Sequence, residues 1–146
     1  MSRTLFPVAV HLFLLRGSRI LLLRRYNTGY EDGNYSVVAG HIDGGEHIYD
    51  AMIREAREEA GIDIALSDLQ AVQVMHRRKG NEERIDYFFC CEKWHGEIKN
   101  AEPNKCDELL WADINNLPLN TVDYVGEAVK NYLAGKQFTI YGWKIV

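Results

Sequence analysis

The sequence has few cysteines and no long apolar run. Three cysteines occur among 146 residues, and an odd number does not build a disulfide framework. Cys90 and Cys91 are adjacent, so on a strand their side chains would point to opposite faces. We expect reduced thiols, which are typical of cytoplasmic proteins. No apolar run approaches the roughly 20 residues that cross a membrane.

The first 19 residues also lack the features of a secretory signal. Their apolar stretch includes His11, ends at Arg16 and has no small-residue cleavage site. The segment is more typical of a β-strand. We therefore expect a soluble, cytoplasmic protein that does not enter a membrane.

Basic residues are not in excess. The net charge is −4 at pH 7, whereas general nucleic-acid binders usually present a basic surface. Stable nucleic-acid binding is therefore disfavoured. An anionic ligand would need local positive charge, which cations held by a carboxylate cluster can supply.

The length and the average composition, 47% hydrophobic and 26% charged, are those of one globular domain, which we assign to residues 1–146. Sequence periodicity predicts helices at 47–60 and 122–135. Strands are predicted at 7–15, 19–25, 35–40, 69–78, 84–94 and 108–114. This order of elements predicts a mixed α/β layered domain.

The helix predicted at 47–60 concentrates negative charge. Glu55, Glu58 and Glu59 are related by steps of three and four residues, so they share one side of the helix. Each like-charge pair costs roughly 0.2–0.5 kcal/mol. Arg54 offers Glu58 one ion pair, but a surface pair contributes only about 0–1 kcal/mol. A divalent cation would offset the repulsion better.

Residues 40–62, GHIDGGEHIYDAMIREAREEAGI, resemble the signature of Nudix hydrolases. That signature is Gly, five residues, Glu, seven residues, then Arg-Glu-apolar-any-Glu-Glu-any-Gly-apolar, and every defined position matches. The matching residues are Gly40, Glu46, Arg54, Glu55, Ala56, Glu58, Glu59, Gly61 and Ile62. We call this segment the Nudix box. The resemblance implies the family's α/β/α sandwich with a mixed β-sheet.

The resemblance also implies hydrolysis of a phosphoanhydride bond in a nucleoside diphosphate linked to another group, such as a nucleoside triphosphate. Mg²⁺ is the expected cofactor, with Mn²⁺ as a substitute. Mg²⁺ prefers carboxylate, carbonyl and water oxygens and shares its coordination with substrate phosphates. The implied ligands are the Gly40 carbonyl and the carboxylates of Glu55, Glu58 and Glu59.

Three further roles come from the same resemblance. Glu46 and Arg54 are expected to form an ion pair that supports the site. Glu55 or Glu59 can accept the proton of the attacking water, and we favour Glu55. Family members often place one more acidic ligand ahead of a tryptophan-containing strand. Here the candidates are Glu102, Asp107 and Glu108, among which Glu102 has the better loop position.

Substrate recognition should lie outside the Nudix box. Arg24 and Arg25 end the second predicted strand and can contact phosphates or a base, although alternation on a strand lets at most one face inward. The aromatic candidates for base stacking are Tyr26, Tyr30, Tyr35 and Trp111. Asn120 and Asp123 follow a segment where related enzymes sometimes recognise a base.

The histidines are not expected to form a zinc site. The spacing of His11, His41, His47, His76 and His95 relative to the cysteines is unlike that of zinc sites. Packing or surface roles are favoured for all five. His41, beside Gly40, is a candidate for contact with a phosphate.

Other functions remain open at this point. Val38 and Ala39 stand where many nucleotide-cleaning relatives have Pro-Gly, which weakens any assignment to oxidised purine triphosphates. One alternative is a catalytically idle nucleotide sensor or RNA-binding protein with the same fold. Another is a hydrolase of a non-nucleotide pyrophosphate, such as an isoprenoid diphosphate. The sequence is also compatible with a homodimer.

Overall fold

Strand β1 (Val8–Arg16) lies at the centre of the sheet because it is apolar and buried along most of its length. It pairs in parallel with β6 (Glu82–Cys91) and antiparallel with β4 (Val38–His41). Its last residues pair antiparallel with β2 (Arg19–Arg25). These strands come from a computed structural model, which describes residues 2–144.

Four more strands complete the sheet: β3 (Tyr35–Ser36), β5 (Gln70–Lys79), β7 (Cys106–Asp113) and β8 (Phe138–Tyr141). The main strand order is β3-β2-β1-β6-β5-β8, with β4 also paired to β1 and β7 to β2. The other elements are helices α1 (Ile48–Ala60) and α2 (Asp123–Leu133) and a 3₁₀ turn at Leu66–Asp68. No helix within residues 2–144 is long and apolar enough to span a membrane.

The two helices cover opposite faces of the sheet. Leu12 packs in the apolar cluster that contains Ala56 of α1, whereas the next residue, Phe13, packs in the cluster that contains Val125 of α2. Neighbouring residues on a strand point to opposite faces, so β1 contributes to both layers of the core. The predicted α/β/α sandwich is confirmed.

The cysteines follow the same alternation. Cys91 belongs to the cluster under α1 and Cys90 to the cluster under α2. Both are buried free thiols, as is Cys106.

The structure differs from the sequence-based prediction in several elements, among them β6, which ends at Cys91 and not at 94. The strand predicted at 35–40 is divided into β3, which pairs with β2, and β4, which pairs with β1. Its two halves have different partners, and local pattern does not contain that information. Strand β7 begins earlier than predicted, at Cys106. Strand β8 was missed because it is a short edge strand whose Phe138 and Ile140 are exposed.

Helix α1 begins and ends where the sequence suggests. His47 caps its N-terminus by accepting a hydrogen bond at Nδ1 from the Asp50 amide, at 3.2 Å. Gly61 ends it with φ of +68°, a left-handed conformation that costs glycine little. The rotation of the helix about its axis is set by its buried face, which includes Met52 and Ala56, and the same rotation directs the glutamates.

Candidate active site

One cleft of about 440 Å³ receives the carboxylates of α1. Glu55, Glu58 and Glu59 line it from the helix, Gly40 lines it from β4, and Glu102 lines it from the loop before β7. The structure therefore brings together residues that lie more than 60 positions apart in the sequence. It places the favoured loop acid, Glu102, beside the box glutamates.

The two other loop acids have different partners. Asp107 Oδ1 accepts a hydrogen bond from Arg24 Nε at 2.7 Å. Glu108 lies 3.4 Å from Arg24 Nη1 and accepts a hydrogen bond from the Tyr35 hydroxyl. Neither acid lines the cleft. Among the three candidates for a further metal ligand, only Glu102 is in position.

Arg54 offsets the repulsion within the box more fully than the sequence suggests. Its Nε and Nη2 donate to Glu46 at 3.0 and 2.9 Å. Its Nη1 donates to Glu55 at 2.8 Å and lies 3.3 Å from Glu58. The guanidinium hydrogen bond lowers the pKa of Glu46 to about 2. One arginine thus contacts three glutamates, because a planar guanidinium presents several donors in a fixed geometry.

The carboxyl groups deeper in the cleft have raised pKa values. Burial raises the pKa of Glu59 to about 8, although Glu59 also accepts a hydrogen bond from the Ala39 amide at 3.0 Å. Burial raises the pKa of Glu55 as well. A carboxyl group with a pKa near neutrality is suited to accept and release a proton.

The donors in the cleft fit a hard divalent cation. The candidate metal ligands are all carboxylate or carbonyl oxygens. A Cβ at position 40 would overlap the Glu55 carboxylate, so the close approach of that carboxylate to the backbone of β4 requires glycine. Within residues 2–144, no three Asp, Glu, His or Cys side chains already form a metal cage. Mg²⁺ does not need one, since it usually keeps several waters and shares substrate oxygens.

Arg24 and Arg25 both line the cleft. The prediction that at most one faces inward is wrong, because the pairing of β2 with β7 shifts register between them and regular alternation is interrupted. Arg24 is held by Asp107. Arg25 donates to the Tyr30 carbonyl at 2.6 Å and to the Thr28 hydroxyl at 3.0 Å, and it has no acidic partner among the described residues.

The aromatic candidates are divided between separate places. Tyr30 lines the cleft, but Tyr35 is buried and Tyr26 is exposed outside it. Trp111 stacks against Trp94 with ring centroids 6.3 Å apart, in a separate groove of about 340 Å³. The structure does not bring Trp111 to the glutamates, because the tryptophan lies near the opposite end of the β2 and β7 pair.

The two polar candidates near α2 also lie outside the cleft. Asn120 donates from Nδ2 to the Gly33 carbonyl at 2.9 Å and so closes a loop. Asp123 is exposed at the first position of α2. In contrast, His41, the candidate beside Gly40, does line the cleft.

Sequence reasoning missed Arg77 and Arg84, which line the cleft from β5 and β6. They are directly opposite each other in the antiparallel ladder. Arg77 is buried and pairs with the buried Asp86 at 2.7 Å, so it sits at a core position of its strand. The same buried face of β5 also carries the polar Gln73, so no alternating apolar pattern in the sequence marked Arg77 as a buried charge.

A buried polar network lies beneath this part of the cleft. His11 Nε2 is 3.1 Å from the Tyr124 hydroxyl, and its ring stacks on Phe88. The Arg77 guanidinium lies 3.6 Å from the centre of the Tyr124 ring. Burial lowers the pKa of His11 to about 4. The histidine is therefore neutral at physiological pH.

His11 should make the protein sensitive to acid. Its pKa falls from 6.5 in the unfolded chain to about 4 in the native state. Between these values the unfolded chain binds more protons, so stability is lost as pH falls through that window. From about pH 7.5 to about pH 5, the loss due to His11 should be about 2 kcal/mol. Urea denaturation of wild type and His11→Gln at both pH values measures it.

The glutamine variant should lose less stability than the wild type over this pH range, whatever its absolute stability. His95→Gln is the control, because His95 is exposed. An identical pH dependence in wild type and His11→Gln would contradict the prediction.

Known proteins resemble this chain in structure and in sequence. A MutT NUDIX hydrolase from Burkholderia pseudomallei matches with a TM-score of 0.79 at 23% identity, over 87% of this chain and 98% of that chain. An ADP-ribose pyrophosphatase from Methanocaldococcus jannaschii is 29% identical over 129 residues, which are 88% of this chain and 74% of that protein. An NAD-capped RNA hydrolase, NudC, from Stutzerimonas stutzeri is 32% identical over 70% of this chain, but this chain covers only 35% of that protein.

The family model described as the NUDIX domain matches residues 5–131. The chain therefore belongs to the Nudix hydrolase family, which confirms the prediction made from the box. As a member it is an enzyme that hydrolyses a pyrophosphate bond, and the family generally uses divalent metals and small nucleotide substrates.

Proposed function

We propose that this protein is a Mg²⁺-dependent pyrophosphohydrolase of a small nucleotide in which a diphosphate joins a nucleoside to another group. The observation that carries the proposal is the shared cleft, which is lined by the three box glutamates and Glu102 on one side and by arginines on another. Carboxylates suit a cation, and arginines suit the phosphate oxygens that the cation does not cover.

The chain's own residues would divide the chemistry among them. Gly40, Glu55, Glu58, Glu59 and Glu102 would hold Mg²⁺, which when bound stabilises charge on phosphate oxygens and lowers the pKa of water. Arg54, tied to Glu46, positions two of these carboxylates through its hydrogen bonds. The ion pair therefore acts on the chemistry through the glutamates.

Glu55 is our choice for the group that accepts the proton of the attacking water. Among contacts within residues 2–144, Glu55 keeps Oε2 and Glu59 keeps Oε1 free of a hydrogen bond. The raised pKa of each carboxyl group suits either one to the task. Glu55 is favoured because its carboxylate lies directly against Gly40.

The similarity to an ADP-ribose pyrophosphatase supports a sugar nucleotide among the candidate substrates. A turnover screen should therefore include nucleoside triphosphates, sugar nucleotides and dinucleotides, each with Mg²⁺ and with excess chelator. We expect Mg²⁺-dependent release of a mononucleotide from at least one compound, with a loss of about 100-fold or more on chelation.

Other results of this screen would identify the alternatives. Tight nucleotide binding without turnover would indicate an idle sensor. Turnover of an isoprenoid diphosphate, with no nucleotide hydrolysed, would indicate a non-nucleotide pyrophosphatase. Either result would overturn the proposal.

A further inference from the structure

We propose that the basic end of the cleft is a subsite for a second phosphate, separate from the diphosphate that is cleaved. The preferred substrate would then be a nucleoside diphosphate derivative that also carries a phosphomonoester. This inference rests on the proposed function, since it adds a substrate class to the same site.

The basic end is a hollow of about 720 Å³ that continues from the cleft. Five residues line both spaces, and they are Arg25, Tyr30, His41, Arg77 and Arg84. Lys79 and Glu82 also line the hollow, so the described part of the chain contributes one acidic residue, Glu82, and four cationic residues to its lining. We call this space the basic hollow. The cleft thus has a carboxylate end and a cationic end.

The cations of the basic hollow are not fully neutralised by the protein. Arg77 and Arg84 are directly opposite each other on antiparallel strands, an arrangement that destabilises a sheet when the charges are alike. Arg77 is compensated by Asp86 at 2.7 Å. Arg84 is half-buried, yet its side chain has neither an ion-pair nor a hydrogen-bond partner in the described chain. A bound anion would relieve the repulsion.

A small residue in the floor of the cleft leaves room beside the basic hollow. Ala9 is opposite His41 on one side and Asp86 on the other. Its side chain is buried and lines the cleft. Because side chains opposite each other in a sheet share a face, the row His41, Ala9 and Asp86 places the shortest side chain in the middle.

The lining favours a phosphate over a nucleobase. Among residues 2–144, Tyr30 is the only aromatic side chain that lines the basic hollow apart from the imidazole of His41. Cations already flank the Tyr30 ring, with Arg25 at 5.3 Å and Lys79 at 5.6 Å from its centre. The ring is thus less accessible for stacking, whereas the arginine donors match phosphate oxygens.

Binding tests the subsite without depending on turnover. Adenosine 2′,5′-bisphosphate and adenosine 3′,5′-bisphosphate each add one phosphomonoester to AMP. We expect at least one of them to bind about 10-fold more tightly than AMP, and Arg84→Gln to bring that ratio close to one. Arg84→Lys, which keeps the charge, should restore part of the ratio.

Arg78→Gln is the matched control. Arg78 is adjacent to Arg77 in the sequence and has the same charge, but it does not line the basic hollow. If Arg78→Gln and Arg84→Gln lower the ratio equally, general charge attraction explains the binding and the subsite is wrong. A ratio of one in the wild type for both bisphosphates would also overturn it.

Turnover separates this inference from the proposed function. ADP-ribose and its 2′-phosphate, and NADH and NADPH, differ only in a phosphomonoester. The phosphorylated member of at least one pair should show a kcat/KM about 10-fold higher, mainly through KM, and Arg84→Gln should remove that preference. If the two members have equal kcat/KM in both pairs, the subsite alone is overturned. Bisphosphate binding without any nucleotide turnover would overturn the proposed function and the substrate class that rests on it, but would support the phosphate subsite.

Discussion

Replacing Glu58 with glutamine is expected to lower kcat by about 100-fold or more, which corresponds to about 2.7 kcal/mol of transition-state stabilisation. The change keeps the side-chain volume and removes the charge of a carboxylate that lines the cleft. The Glu58 side chain is 51% exposed and its contact with Arg54 is long, at 3.3 Å. The fold should therefore be retained.

The measurement is kcat at saturating Mg²⁺ on the best substrate of the screen, with Tm recorded for each variant. Mg²⁺ should raise the Tm of the wild type, because a ligand that binds only the native state stabilises it, and the rise should shrink in Glu58→Gln. Glu127→Gln on α2 is the control and should keep wild-type kcat, since Glu127 does not line the cleft. Wild-type activity in Glu58→Gln would refute the assignment.

Replacing Asp86 with alanine is expected to cost about 3–5 kcal/mol of unfolding free energy. The Asp86 side chain is fully buried, and its partner Arg77 is only 7% exposed, so the change leaves a buried guanidinium without its carboxylate. A protein of this size has a stability of roughly 5–15 kcal/mol. The variant should therefore unfold at a much lower urea concentration.

An exposed ion pair provides the matched comparison. Asp63 binds Arg57 at the same distance, 2.7 Å, but both side chains are more than 60% exposed. Asp63→Ala should cost less than about 1 kcal/mol, because water solvates the charge that remains. Equal losses in the two variants would show that burial does not govern the Asp86 pair. Replacing Arg77 and Asp86 together with apolar residues should recover part of the loss.

Local sequence was sufficient for the parts of this protein that depend on one segment. The spacing of Glu55, Glu58 and Glu59 on a helix determines that they share a side, and Gly61 determines where that helix ends. The near-continuous apolar runs of β1 and β2 likewise predict strands covered on both faces. Such features follow from backbone periodicity, which neighbouring residues set by themselves.

The outer parts of the site could not be predicted in this way. A register shift between β2 and β7 directs both Arg24 and Arg25 to the cleft, and an isolated strand pattern contains no trace of that shift. Trp111 looked like a stacking residue near the acidic loop, yet it packs on Trp94 elsewhere. Arg77 and Arg84 looked like ordinary strand charges until pairing set them opposite each other.

The sequence by itself determined the family, the reaction class and the identity of the box carboxylates, because these depend on residue type at fixed short spacing within residues 40–62. Only the tertiary structure decided that Glu102 joins those carboxylates and that Arg84 lies at the cationic end of the same cleft. The physical reason is that contacts between distant segments depend on strand pairing, register and the packing of whole layers, which no local period encodes.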